Sequence, residues 1–187
     1  DRGSLPWSGP PPSAVSLASD GRVAIGQHTG AWQIWDPRRR TSRSSGTVAI
    51  RSMALAPDRP FLLVGTLDGT LWTWHTERGE PVSADLHGPN PIVAVAAGPS
   101  GAISFTDGRR VRVGTTWRAT ERHLHALAWG ESGPVGFGID HAWQVRADGT
   151  VRVLDNLCIS AVGPRLEAGC DRCGRGRSGR HRCGRGR

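Results

Sequence analysis

Lysine and tyrosine are missing from these 187 residues, and methionine occurs once. All 24 basic residues are therefore Arg, and 26 Gly and 13 Pro accompany them, the composition of a GC-rich coding sequence rather than of a particular chemistry. No apolar run approaches the ~20 residues that span a bilayer. No charged-then-apolar leader opens the chain, so a membrane partner is not expected and the cytoplasm is the expected compartment. Cysteine is scarce in the body: only Cys158 lies outside the C-terminal end, which excludes a disulfide framework there. Catalytic signatures are missing as well. There is no Gly-rich phosphate loop, no Ser nucleophile elbow and no His-Glu metal motif, so no enzyme and no cofactor are expected.

Charge is unevenly spread. Residues 1–168 carry a net charge of +2, whereas residues 169–187, "GCDRCGRGRSGRHRCGRGR", carry +6. The basicity belongs to a tail, not to a nucleic-acid face on the body. With almost nothing apolar to bury, residues 164–187 are expected to be disordered. Gly/Arg tracts can touch nucleic-acid phosphates weakly and without sequence preference. Cys170, Cys173, His181 and Cys183 have some of the spacing of a zinc site, but only Gly and Arg surround them, and an extension without a metal is the preferred reading. Residues 1–13 read as a Pro-rich linker.

Between these ends the sequence repeats. "GTLDGTLWTWHTERGEP" runs from Gly65 to Pro81, and "GQHTGAWQIWDPRRR" spells nearly the same pattern 39 residues earlier. Asp-Gly between two runs of aliphatic, aromatic and β-branched residues signals a hairpin, because a tight two-residue turn needs positive φ. The turn glycines are Gly30, Gly69, Gly108 and Gly149, spaced 39, 39 and 41 apart. Upstream echoes at Val15, Met53 and Val93 read as a preceding strand ending in a polar turn. In the fourth copy, "LHALAWGESG" is followed by about ten residues around "PVGFGIDH" that read as an insertion before its hairpin. A period near forty with several short strands per unit is the signature of a β-propeller.

The chain resembles the tryptophan–aspartate (WD) repeat family, whose unit ends in Ser/Thr-x-Asp-x-Thr-x-x-x-Trp-Asp. The second copy matches through Thr66, Asp68, Thr70 and Trp74. The first has Trp35 and Asp36 but Thr29 at the turn. The third keeps Asp107, and the fourth keeps Asp148, Thr150 and Asp155. His87 stands in for the family's Gly-His. The resemblance implies an all-β propeller of about four blades, near 14–47, 48–90, 91–122 and 123–157, within a body spanning 14–163. It also implies that Trp74, Asp68 and Thr66 form a hydrogen-bonded set inside the blade, with Trp74 buried.

Four blades fall short of the seven usual in the family, and an open arc exposes strand edges. Because the chain also begins on Asp, it is expected to be a piece of a larger propeller, a truncated product, or an arc closed by further blades or by a second copy. The resemblance implies a non-catalytic protein-interaction scaffold, part of a larger bacterial signalling or regulatory protein, with its partner unidentified. An enzymatic propeller resembling quinone-dependent dehydrogenases is the alternative. The turns between second and third strands should share one rim, bringing His28, Leu67, Arg109 and Arg110 together. Two adjacent Arg at one such turn suit an acidic protein partner.

Overall fold

The computed structural model describes residues 10–38, 42–45, 48–87, 90–120, 122–139, 141–146 and 150–155. The first nine residues, the C-terminal tail with its cysteines, Cys158, Asp148 and Gly149 lie outside the described residues. Sixteen strands form four antiparallel sheets of four, each in simple chain order. Blade one holds β1 (Ala14–Leu17), β2 (Val23–Gly26), β3 (Trp32–Trp35) and β4 (Ser42–Ser45). Blade two holds β5 (Ile50–Leu55), β6 (Phe61–Thr66), β7 (Thr70–His75) and β8 (Glu80–His87). Blade three holds β9 (Ala94–Ala97), β10 (Ile103–Thr106), β11 (Arg110–Val113) and β12 (Thr116–Ala119). Blade four holds β13 (Ala126–Gly130), β14 (Gly133–Phe137), β15 (His141–Val145) and β16 (Val151–Asp155).

The first strand of each sheet packs on the first strand of the next, β1 on β5, β5 on β9 and β9 on β13. These strands line the inside of the arc, and the sheets radiate outward from them. The chain is all-β, with four blades arranged as a β-propeller. Among the described residues, no strand of blade four packs on blade one to the extent that neighbouring blades pack on each other.

Each junction is built by alternation along the inner strands. Ala14 and Ser16 point forward, toward blade two, where Ser16 Oγ accepts a hydrogen bond from Leu55 N at 2.9 Å. Ser52 and Ala54 point forward to blade three, and Ser52 Oγ donates to the Ile92 carbonyl at 3.4 Å. The forward pair on β9 is Ala94 and Ala96, and on β13 it is Ala126 and Ala128. All eight are small. The rearward residues Val15 and Leu17, Met53 and Leu55, Val95 and Ala97, and Leu127 and Trp129 are mostly larger. Small against large lets adjacent sheets approach closely near the axis.

The cores sit in the junctions. Between blades one and two, Ala24, Trp32 and Ile34 meet Met53, Leu55, Leu62 and Val64. Between two and three, Ala54, Leu63 and Leu71 meet Val95 and Phe105. Between three and four, Val111 and Leu124 meet Trp143 and Val145. Gly98 belongs to the third junction: a Cβ there would lie 2.2 Å from the Trp129 ring, so only Gly lets that indole rest on the backbone.

Three expectations need correction. The first concerns the turns. In blades one and two the second hairpin closes through three residues, His28-Thr29-Gly30 and Leu67-Asp68-Gly69, with the glycine left-handed at φ 93° and 83°. Blade three uses a two-residue turn, Gly108-Arg109, closed by Asp107 N donating to the Arg110 carbonyl at 3.2 Å. The second concerns blade four. The supposed insertion is strand β14 with its turn, and the Asp148-Gly149 segment joins β15 to β16, one hairpin further out than its counterparts. An Asp-Gly signal marks a hairpin but not its place in the sheet, and Gly133, Pro134 and Gly136 give β14 little strand propensity.

The third concerns the tryptophans. Trp72 and Trp74 share the rear face of blade two, as alternation predicts, but Trp74 is only half-buried. It packs edge-on against Trp32 across the junction, centroids 5.5 Å apart. Trp32 is the buried one, 2% exposed. The hydroxyl of Thr66 is engaged by Thr70 and Asp68 instead of by the Trp74 ring.

Candidate functional site

The hairpins between second and third strands emerge on the same end of the arc as the connections from one blade to the next. Their conformation is set by short polar side chains that bond their own backbone. In blade two, Thr66 Oγ1 donates to the Thr70 carbonyl at 2.8 Å and also touches the carboxylate of Asp68. Asp68 in turn accepts from Thr70 N at 3.0 Å. This holds Leu67 at the tip, 43% exposed. In blade one His28 occupies the tip and is exposed.

Blade three is fastened more heavily. The side chain of Asp107 is 2% exposed and takes five hydrogen bonds. These come from Asn90, from the backbone N–H groups of Arg109 and Arg110, and from two nitrogens of the Arg110 guanidinium, the closest at 2.8 Å. Arg110 also lies over the Trp117 ring, 4.9 Å from its centroid. The two arginines therefore part company. Arg110 is built into the hairpin through Asp107, its side chain 38% exposed at the start of β11; Arg109 stands at the tip, exposed.

Burial pushes the Asp107 carboxyl up, but the hydrogen bonds from Arg110, Asn90 and the Arg109 and Arg110 backbone outweigh it and hold it below its ordinary value of 3.8. A depressed carboxyl contributes stability that is present above its unfolded value and is lost as pH falls through the folded one. Asp107→Asn should cost about 1–3 kcal/mol at neutral pH. In acid titration followed by tryptophan fluorescence, its unfolding limb below about pH 4 should be shallower than that of the wild type.

The fourth tip was hidden by the misplaced hairpin. Gly138 N donates to the His141 carbonyl at 2.9 Å, and Ile139 at this turn is 87% exposed. The available signal was the Gly in "FGIDH", which marks a turn as well as Asp-Gly does. Beside the third tip, the connection into blade four adds His123 and His125, exposed and tilted 35° to each other with ring centroids 5.0 Å apart. Leu124, between them, is buried and ties its N–H to the Gly108 carbonyl at 2.7 Å. One end of the arc thus presents His28, Leu67, Arg109 and Ile139 as tips.

The remaining sequence candidates sit elsewhere. Trp35 is half-buried on the rear face of blade one, and Asp36 beyond it accepts from Arg38 N at 2.8 Å in a turn at the opposite end. His87 closes β8 opposite Thr70, and Asp155 ends the outermost strand of blade four, not a third strand.

The opposite end carries an open cleft of about 480 Å³ between blades one and two, lined by Asp20, Arg22, Asp36, Asp58, Arg59 and Glu77 among others. Its charges mostly serve turns and junctions. Arg22 pairs with Asp20 at 2.7 Å and donates to the Ala56 carbonyl of blade two at 3.2 Å. Asp58 accepts from Ser100 N of blade three at 2.8 Å. Burial raises Asp20, but hydrogen bonds and charge from Arg22, with Arg38 further off, leave it below its ordinary value. Among the described residues no three His, Cys, Asp or Glu are placed to hold a metal ion, and no helix is long and apolar enough to cross a membrane.

No protein-family model matches this sequence, and no curated protein matches it. Solved structures do. A chain of the mitotic checkpoint complex superimposes with a TM-score of 0.59 at 12% identity, over 77% of this chain and 46% of that one. Streptogramin B lyase superimposes at 0.60 and 14% identity, over 81% of this chain and 56% of that one. The computationally designed Ika4 protein gives 0.55 at 18% identity, over 81% and 95%. The fold is a β-propeller. At these identities the likeness extends to the fold alone, and the chain spans about half the length of the checkpoint-complex and lyase chains.

Proposed function

We propose that this chain is a non-catalytic protein-interaction module of the WD-repeat type, working within a larger regulatory protein or assembly, and that it receives its partner on the end bearing the His28, Leu67, Arg109 and Ile139 tips. The observation that carries the reading is the pairing of rigid turns with exposed apolar tips. Leu67 and Ile139 are large hydrophobics held out in water on hairpins that their own backbones fasten. Nothing in blade packing calls for either. Both stand at the same end of the arc, on blades two and four, where exposed apolar side chains among polar neighbours suit a partner surface. Support for the WD-repeat type comes from the Thr66–Asp68–Thr70 set, which has the residue types and spacing of that family's turn.

Arg109 sets the chemistry of the partner. Its exposed guanidinium suits a carboxylate, which it engages through a planar fork. The partner surface is therefore apolar with an acidic group, and its binding weakens with salt. Affinity capture on the full chain tests this. The triple variant Leu67→Asp/Arg109→Glu/Ile139→Asp should lose at least ten-fold of a specific partner, equivalent to about 1.4 kcal/mol or more. Arg59→Glu, at the opposite end, should retain it. Equal recovery by the triple variant and the wild type would remove the reading.

A further inference from the structure

The two ends of the arc carry complementary halves of the junction that the chain builds three times internally. Met53 and Leu55 on the rear of β5 are 7% and 6% exposed beneath blade one. Their equivalents one blade earlier, Val15 and Leu17 on β1, are 59% and 63% exposed. Register continues this rear face outward: Val15 pairs with Ile25, Leu17 with Val23, and Val23 with Trp35, with Ile25 itself only 8% exposed. These match Met53, Leu55, Leu62, Val64 and Trp74 of blade two, position by position. At the other end, Ala126 and Ala128 repeat the small forward pair that every other inner strand sets against its neighbour, with Phe137 and Val135 opposite them on β14. Ala126 is exposed and Ala128 half-buried.

We infer that a second copy of this chain occupies both faces, the Ala126/Ala128 face of each copy seating on the Val15/Leu17 face of the other, so that two arcs close one ring. The internal junctions specify the occupant. A rear face of this kind is covered, three times out of three, by a small-residue forward face, and this chain has one of each to spare. Closure decides the form of the assembly. A head-to-tail contact makes a ring when its rotation closes and a filament when it does not.

Sedimentation equilibrium on the full chain in reducing buffer reads the outcome. Reductant keeps the tail cysteines from cross-linking. The wild type should run at twice the chain mass. Leu17→Glu on one face and Ala128→Arg on the other should each run as a monomer with an unchanged β-sheet circular dichroism. An equimolar mixture should recover the dimer, because the carboxylate introduced on one variant then meets the guanidinium introduced on the other while the second junction stays wild type. A monomeric wild type would mean that the end faces are not joined by a second copy, and would overturn the inference. So would an open-ended polymer, a dimer that survives both substitutions, or a mixture that stays monomeric. If either variant fails to fold, the wild-type mass decides alone.

Discussion

Trp32→Ala should cost about 3–5 kcal/mol, the range for deleting a large buried aromatic. Trp32 is 2% exposed and sits where blade one meets blade two, among Ile34, Ile50, Leu62 and Val64. Removing its ring empties the centre of that junction and takes away the edge against which Trp74 packs. Trp74→Ala should cost less, because Trp74 is only partly buried to begin with. The ring nitrogen sharpens the test. Trp32 Nε1 is buried with no hydrogen-bond partner among the described residues, and an orphaned buried donor costs about 1–3 kcal/mol. Trp32→Phe should therefore recover much of the loss, since it restores aromatic volume without the donor. Urea unfolding of the three variants, compared at constant m-value, gives the order Trp32→Ala, then Trp74→Ala, then Trp32→Phe, from most to least destabilised. A larger loss for Trp74→Ala than for Trp32→Ala would restore Trp74 as the keystone.

Phe105→Ala should also cost about 3–5 kcal/mol. Phe105 is 1% exposed at the junction of blades two and three. Trp117 meets it edge-on with centroids 5.1 Å apart, and the Arg112 guanidinium lies 5.8 Å over its ring. Arg110 joins the same stack through the Trp117 ring. The substitution therefore removes a core residue and loosens the aromatic support of the Arg110 hairpin together. Thermal unfolding followed by circular dichroism should show the loss as a lowered Tm. A Tm shift as small as that of an outer-strand substitution such as Arg118→Ala would show that this junction is not held by Phe105.

These two residues mark the limit of what the sequence discloses. The hairpins at Gly30, Gly69 and Gly108 were legible because turn chemistry is local: an Asp or Thr bonding its own backbone and a Gly at positive φ need no distant partner. The period carried the blade count for the same reason. The fourth blade was harder. Asp148-Gly149 announces a turn as clearly as Asp68-Gly69, yet Pro134 and two glycines conceal the strand that moves this turn one place outward. Burial within the repeat was not legible either. Trp32 and Leu71 occupy matching forward positions, each opposite a glycine of the preceding strand, and both are buried in a junction. Trp35 and Trp74, the motif positions of the repeat, face rearward and stay half-buried. Which face meets a neighbouring blade is decided by packing between sheets, not by the letters of one copy. Arg109 and Arg110 are adjacent letters with opposite fates, decided by Asp107, Asn90 and Trp117, which only the fold brings together.

The proposed working surface is one end of the arc. Hydrogen exchange of the full chain, alone and with a captured partner, tests this most directly because it reads both ends in one experiment. Exchange should slow at the hairpin tips around 67–69, 107–110 and 137–139 and stay unchanged at the opposite turns around 18–22 and 56–60. Protection confined to those opposite turns, with the tips unaffected, would contradict it.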